Sequence, residues 1–245
     1  VDLDPDLAAL GPLGGFFALR TTGAPTPPLP TLAQVYENRT SDVYAHPMTF
    51  RIEKVARVLH APEVRIAASV AQQGLAARLW SVALGCAALY DRIPDLDPRL
   101  LHWDPDGSAP DDLWLSAVRP LPADAETLAD VVLRGHLQPL TESLQARHRV
   151  ARGLLWGNAA SALAGAARQL ETWARTHGRS AAGARARQIT ADLLAHPLLA
   201  GTGTLTGTAF RRRSCCLYYR APGGGVCGDC CFPRPPRSSP HATSG

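Results

Sequence analysis

Five of the six cysteines fall between positions 215 and 231, in the order Cys215-Cys216, ten residues, Cys227-Gly228-Asp229-Cys230 and then Cys231. So many thiols in one short segment must be held either by disulfides or by a metal. Nothing in the chain points to an oxidising compartment, which weakens the disulfide account. Four soft thiolates suit zinc or an iron–sulfur cluster. Cys227-Gly228-Asp229-Cys230 is a chelating turn in which Gly228 lets the backbone curl, and Gly223-Gly224-Gly225 gives the intervening loop the freedom to fold back. The vicinal pair is the unusual half. Zinc ribbons spread their ligands two to four residues apart, whereas adjacent side chains diverge in an extended chain. One metal would strain such a pair; a two-iron cluster offers two targets. Spacing alone leaves a structural zinc site open as the rival.

The chain before these cysteines is organised mainly by helical periodicity. Val64, Ala68, Ala71, Leu75, Leu79, Val82, Cys86 and Leu89 step by threes and fours and predict a long helix ending before Pro94. Cys86 lies on its apolar face, where a free cysteine acts as a small hydrophobe. A second helix is expected after Pro122, with Asp124 and Glu126 in its first turn and a break or kink at Pro139. A third carries Leu155, Ala159, Ala162, Leu163, Ala166, Leu170 and Trp173 on one face and stops near Gly178. A fourth runs from about Ala182 to His196, before Pro197. Alternation marks a hairpin: Leu101 and Trp103, then Leu113, Leu115 and Ala117, with Pro105-Asp106-Gly107 between them. Phe16 to Arg20 reads as a short strand, Thr21 to Pro30 as a loop and Gly201 to Gly207 as a flexible connector. The expected fold is α+β and predominantly helical. A helical domain over residues 1–208 carries a small antiparallel sheet, a cluster segment covers 209–232, and a disordered tail covers 233–245.

Composition narrows the function classes. Hydrophobic residues at 46% and charged residues at 19% support a sizeable core. A formal net charge of +4 gives no reason to expect a nucleic-acid partner. No apolar run approaches the roughly 20 residues of a membrane span, and the acidic start Val1-Asp2-Leu3-Asp4 lacks the basic-then-apolar order of a secretion signal. The expected location is cytoplasmic. The glycines of Gly201 to Gly207 miss a dinucleotide fingerprint, the third being one place late, so electrons are expected from an external donor. The eight histidines show no metal spacing; His60, His102 and His136 are isolated.

The pattern Cys-Cys-x10-Cys-x2-Cys, within Arg213-Ser214-Cys215-Cys216-Leu217-Tyr218-Tyr219 and Gly225-Val226-Cys227-Gly228-Asp229-Cys230, resembles the C-terminal signature of the FhuF-type ferric siderophore reductases. Arg78-Leu79-Trp80-Ser81 and Leu155-Trp156-Gly157-Asn158-Ala159-Ala160 are more loosely similar to that family. The resemblance implies a [2Fe–2S] cluster on Cys215, Cys216, Cys227 and Cys230, with Cys231 a spectator. It also implies one-electron reduction of siderophore-bound ferric iron, with a hydroxamate siderophore favoured as substrate and a ferredoxin as a fitting donor. The class-different alternatives are a zinc-stapled binding module and an iron–sulfur carrier or sensor. Such a cluster with its thiolates is formally about −2 oxidised and −3 reduced. Arg211, Arg212, Arg213 and Arg220 flank it in sequence, either stabilising the reduced state, docking an anionic partner or forming a plain solvated surface. Trp156 and Asn158 are candidates for a siderophore pocket, against a buried core amide for Asn158. Arg78 is a candidate ligand contact, against a surface ion pair.

Overall fold

The computed structural model describes residue 7 and residues 9–21, 28–37 and 46–236. Its helices are α1 (Leu32–Tyr36), α2 (Pro47–Leu59), α3 (Val64–Tyr90), α4 (Ala125–Leu128), α5 (Gln138–His148), α6 (Arg152–Thr176) and α7 (Ser180–Leu194). Short strands pair antiparallel as β1 (Arg92–Pro94) with β4 (Pro120–Pro122), β2 (Leu101–Trp103) with β3 (Leu113–Leu115), and β5 (Gly203–Thr206) with β6 (Ala209–Arg212). The fold is therefore α+β and mainly helical.

Helices α3 and α6 share the most extensive helix–helix contact, and the sequence explains why. Both are rich in alanine at buried positions: Ala67, Ala68, Ala71, Ala76 and Ala83 on α3, and Ala159, Ala160, Ala162, Ala166 and Ala167 on α6. Small side chains let the backbones approach closely, and Leu75, Leu79, Trp80, Leu155, Leu163 and Leu170 fill the space around the seam. Each fully buried leucine contributes about 1.5–3 kcal/mol. α7 packs on α6, and α2 on α3, so α3 is covered along most of its length. No helix among the described residues is long and apolar enough to cross a membrane.

The alternating segment forms the expected hairpin, with Leu101 opposite Leu115 and Trp103 opposite Leu113, all four directed into the core. Asp124 caps α4, its side chain accepting from the Thr127 amide. Gly178, at φ +66°, follows α6 as the stop that its position suggested.

Three local expectations fail for identifiable reasons. Pro139 does not break its helix. A π-helical stretch, Ala129–Leu137, widens the turn just before it, and the proline enters at the start of α5, where its missing N–H is needed least. Phe16 to Arg20 is no strand: residues 15–17 form a turn after a 3-10 turn at Gly11–Leu13, leaving a single bridge between Arg20 and Trp114. Gly201 to Gly207 is no flexible connector, since β5 begins at Gly203 and pairs in register with β6, Gly203 opposite Arg212. Most of the expected loop, 22–27, and of the expected tail, 237–245, lies outside the described residues.

Arg78 is also placed differently from its expected surface position. It is 2% exposed, donates through Nε to Asp112 at 2.9 Å and through Nη1 to the Phe16 carbonyl at 2.6 Å. It ties α3 to the turn at Phe16 and to the loop between β2 and β3. Removing one partner of such a buried pair costs about 3–5 kcal/mol, because the other charge is left uncompensated. Asp112→Ala is therefore expected to lower the unfolding free energy by about that amount in denaturant titrations while leaving iron content per folded chain unchanged.

Candidate metal centre

The cysteine segment is seated on the helical core by its first residues. Strand β6 alternates in exposure, so Phe210 and Arg212 point inward while Arg211 and Arg213 face solvent. The Arg212 amide donates to the Asp229 carbonyl at 3.0 Å, which draws the Cys227–Cys230 turn back beside the strand. Asp229 is buried; its carboxylate accepts from Ser161 Oγ at 2.6 Å and from Arg168 Nη1 at 3.3 Å, both on α6. Ser69 of α3 donates to the Cys216 carbonyl at 2.8 Å, and Ser214 donates to the Gly153 carbonyl at 3.0 Å. The approach to α6 is so close that a Cβ on Gly157 would lie 2.3 Å from Ser214 Oγ.

The loop between the two cysteine pairs turns tightly. Leu217 has φ +69°, followed by a 3-10 turn at Tyr218–Arg220. Gly224 then passes against that turn, where a Cβ would come within 2.2 Å of the Tyr218 carbonyl oxygen. Glycine is required there by close approach. The return brings all five thiols of the segment into two groups. Cys216 and Cys227 lie 3.6 Å apart and share one hydrogen-bonded proton. Cys215, Cys230 and Cys231 form the second group, their sulfurs all within 4.8 Å of one another. The vicinal cysteines thus reach different groups, as divergent neighbouring side chains should.

The electrostatics divide the thiols, and only Cys216 is drawn toward the thiolate. Hydrogen bonding to Cys227 draws the Cys216 thiol down to about 7, while the same bond pushes Cys227 up, as expected of two sites sharing a proton. Burial pushes Cys215 and Cys231 up. The Leu217 amide donates to Cys215 Sγ at 3.2 Å and the Phe232 amide to Cys230 Sγ at 3.4 Å. The decisive group is Arg212. It is 2% exposed and donates through Nη2 to Asn158, yet its Nε and Nη1 find no partner, and among the described residues no carboxylate pairs with it. Its charge favours the thiolate at Cys215, Cys216, Cys227 and Cys231. A buried guanidinium with two orphaned donors beside a set of thiols is well placed to receive an anion there. A dianionic thiolate-held cluster supplies it, so the residues fit the group.

Residues 212–232 match the FhuF 2Fe-2S C-terminal domain. The segment is thus a [2Fe–2S]-binding domain, which decides between iron–sulfur and zinc. No curated protein matches the chain.

Around this FhuF-type segment the other candidate residues separate. Arg211 and Arg213 are exposed, and Arg211 Nη2 donates to the Cys231 carbonyl at 3.2 Å. Arg220 pairs with Glu63 at 2.6 Å. Asn158 is fully buried: its amide nitrogen donates to the Ser69 carbonyl and hydroxyl, both at 3.0 Å, and its oxygen receives Arg212. It holds Arg212 rather than lining a pocket. Trp156 is buried, and the polar contacts of Arg78 lie with Asp112 and Phe16 rather than with the cysteines. Cys231, outside the four-ligand pattern, is nonetheless drawn in with Cys215 and Cys230. Ser69, Ser161, Arg168 and Asp229 escaped sequence reading; only the aspartate inside the chelating turn offered a signal, since an acid among thiolates needs an anchor.

Replacing Arg212 by methionine removes the buried positive charge while keeping most of the volume. The reduced cluster should lose about 1.5 kcal/mol relative to the oxidised one, lowering its midpoint potential by about 60 mV. Anaerobic redox titration checks this, with Arg213→Met, an exposed neighbour, as the control.

Proposed function

We propose that this protein is a ferric siderophore reductase acting in the cytosol. What carries the reading is the match of residues 212–232 to the FhuF 2Fe-2S C-terminal domain, on a segment whose five thiols gather as a pair and a trio. Bound there, a [2Fe–2S] cluster accepts and donates one electron at a time, and all-cysteine forms reach about −400 mV. The proposed ligands are Cys215, Cys216, Cys227 and Cys230.

A siderophore surrounds Fe(III) with hard oxygen donors, and these hold the softer Fe(II) much less tightly. One electron from an external donor such as a ferredoxin therefore releases the metal: the donor is oxidised by one electron and Fe(III) becomes Fe(II). The chain's own residues do the rest. Arg212 compensates the negative charge from the core side. A cleft of about 370 Å³ opens between α3 and α6, with Cys227, Gly228 and Asp229 in its wall beside Gln73, Ser81 and Arg168. These polar groups face a space where the oxygen ligands of a ferric hydroxamate complex can approach a cluster thiolate. Arg211 and Arg213, exposed beside the segment, give a negatively charged donor a landing place.

Reduced protein mixed without air with a ferric trihydroxamate should lose its reduced-cluster spectrum as Fe(II) appears in a trapping chelator, whereas NADH alone should leave the protein oxidised. A reduced cluster that persists for hours beside the siderophore and trap refutes the reductase reading and leaves an electron carrier or sensor.

The exposed arginines give a separate check. Electron uptake from an acidic ferredoxin should slow as salt rises, because exposed charges are screened over about 8–10 Å. The Arg211→Gln/Arg213→Gln variant should lose most of that dependence. A salt-independent wild-type rate would assign both arginines to plain surface.

A further inference from the structure

A [2Fe–2S] cluster takes four thiolates, and the segment brings five together. The surplus is localised. Two thiolates on one tetrahedral metal, with bonds of about 2.3 Å, sit about 3.8 Å apart, and Cys216 and Cys227 already lie at 3.6 Å. The remaining three, Cys215, Cys230 and Cys231, lie within 4.8 Å of one another and have two places to fill. We propose that Cys230 and Cys231 are interchangeable cluster ligands, Cys231 replacing Cys230 beside Cys215. This rests on the [2Fe–2S] assignment alone and is independent of the reductase reading.

Three observations support exchange over a bystander. Consecutive side chains in an extended segment diverge, yet the chain bends at Cys231 so that its sulfur joins the same group as Cys230. The Cys231 peptide is held in that bend, its carbonyl accepting from Arg211 at 3.2 Å. The sulfurs of Cys230 and Cys231 lie within 4.8 Å of each other, so one need move only a little to take the other's place. The exchange balances without a co-reactant. The iron–thiolate bond to Cys230 breaks as the bond to Cys231 forms, the Cys231 proton passes to Cys230, and no electron moves. Both thiols are half-buried, so neither is shut away from the centre by the core.

The test uses the full chain loaded anaerobically with iron and sulfide, comparing Cys230→Ala, Cys231→Ala and the double variant; alanine leaves no oxygen donor in place. Iron and acid-labile sulfide per chain should stay within about twofold of wild type in each single variant and fall at least about tenfold in the double. The reduced-state paramagnetic spectrum should shift in Cys230→Ala and remain native in Cys231→Ala. Loss of the cluster from a folded Cys230→Ala makes Cys231 a spectator and overturns the proposal. Loss from Cys231→Ala alone makes Cys231 obligatory and also overturns it. Should Cys230→Ala fail to fold, a brief iodoacetamide pulse on loaded wild type decides by peptide mass: label on both cysteines supports exchange, and label on Cys231 alone refutes it. No siderophore enters these measurements, so their outcome is separate from that of the reductase test.

Discussion

A guanidinium taken out of water is among the most expensive groups a fold can bury, and Arg212 is buried almost completely between α6 and the cysteine segment. Only part of its cost is met by protein: Asn158 receives one nitrogen, and Asn158 is itself fixed by Ser69 on α3. Negative charge on the sulfur side would supply the rest. Arg212 therefore ties the metal centre to the two helices that dominate the core. It also makes the seating of the C-terminal segment depend on that centre, because without the anion the buried cation is uncompensated. The close passage of Ser214 over Gly157 and the anchoring of Asp229 on Ser161 and Arg168 hold the same arrangement from its other sides.

The long helices were legible because burial imposes one period along them. Val64 to Leu89 and Leu155 to Trp173 repeat by threes and fours, and α3 and α6 follow. The β2–β3 hairpin was legible for the same reason at period two. What failed was set by neighbours. Pro139 looks like a helix breaker until the preceding π-helical turn is seen to absorb it. The glycine- and threonine-rich run after Pro197 has strand propensity only in partnership with β6, and β6 was hidden in the sequence as a run of arginines.

That arginine run shows most clearly where one-dimensional reading stops. Three consecutive cations invite a single role, either a docking patch or a solvated surface. A strand imposes alternation instead, so the middle residue goes inward and its neighbours outward. The four-cysteine pattern was legible because chelation by sequence-near thiols is a local matter. The grouping of those thiols, and the arrival of Cys231 among them, depends on the bend after Cys230 and on the hold of Arg211, which spacing does not contain. Asn158 was legible as a buried amide, but its purpose needed the identity of the group facing it.

The centre is consequently asymmetric, and the asymmetry gives it a direction. On the core side lie Cys216, fully packed, and Arg212 with its Asn158 and Ser69 support, all on rigid helices or beside them. On the outer side lie Cys215, Cys227, Cys230 and Cys231, half-buried at the rim, with the cleft reaching Cys227. Positive charge behind and partial exposure in front pull the potential in the same sense, because the guanidinium and polar solvent each favour the more negative, reduced state. The rim is thus the exposed side of the segment, since Cys216 is packed against the core. A partner that covers the rim removes water from the exposed thiolates and leaves Arg212 in place, so docking itself shifts the balance of charge compensation toward the buried guanidinium.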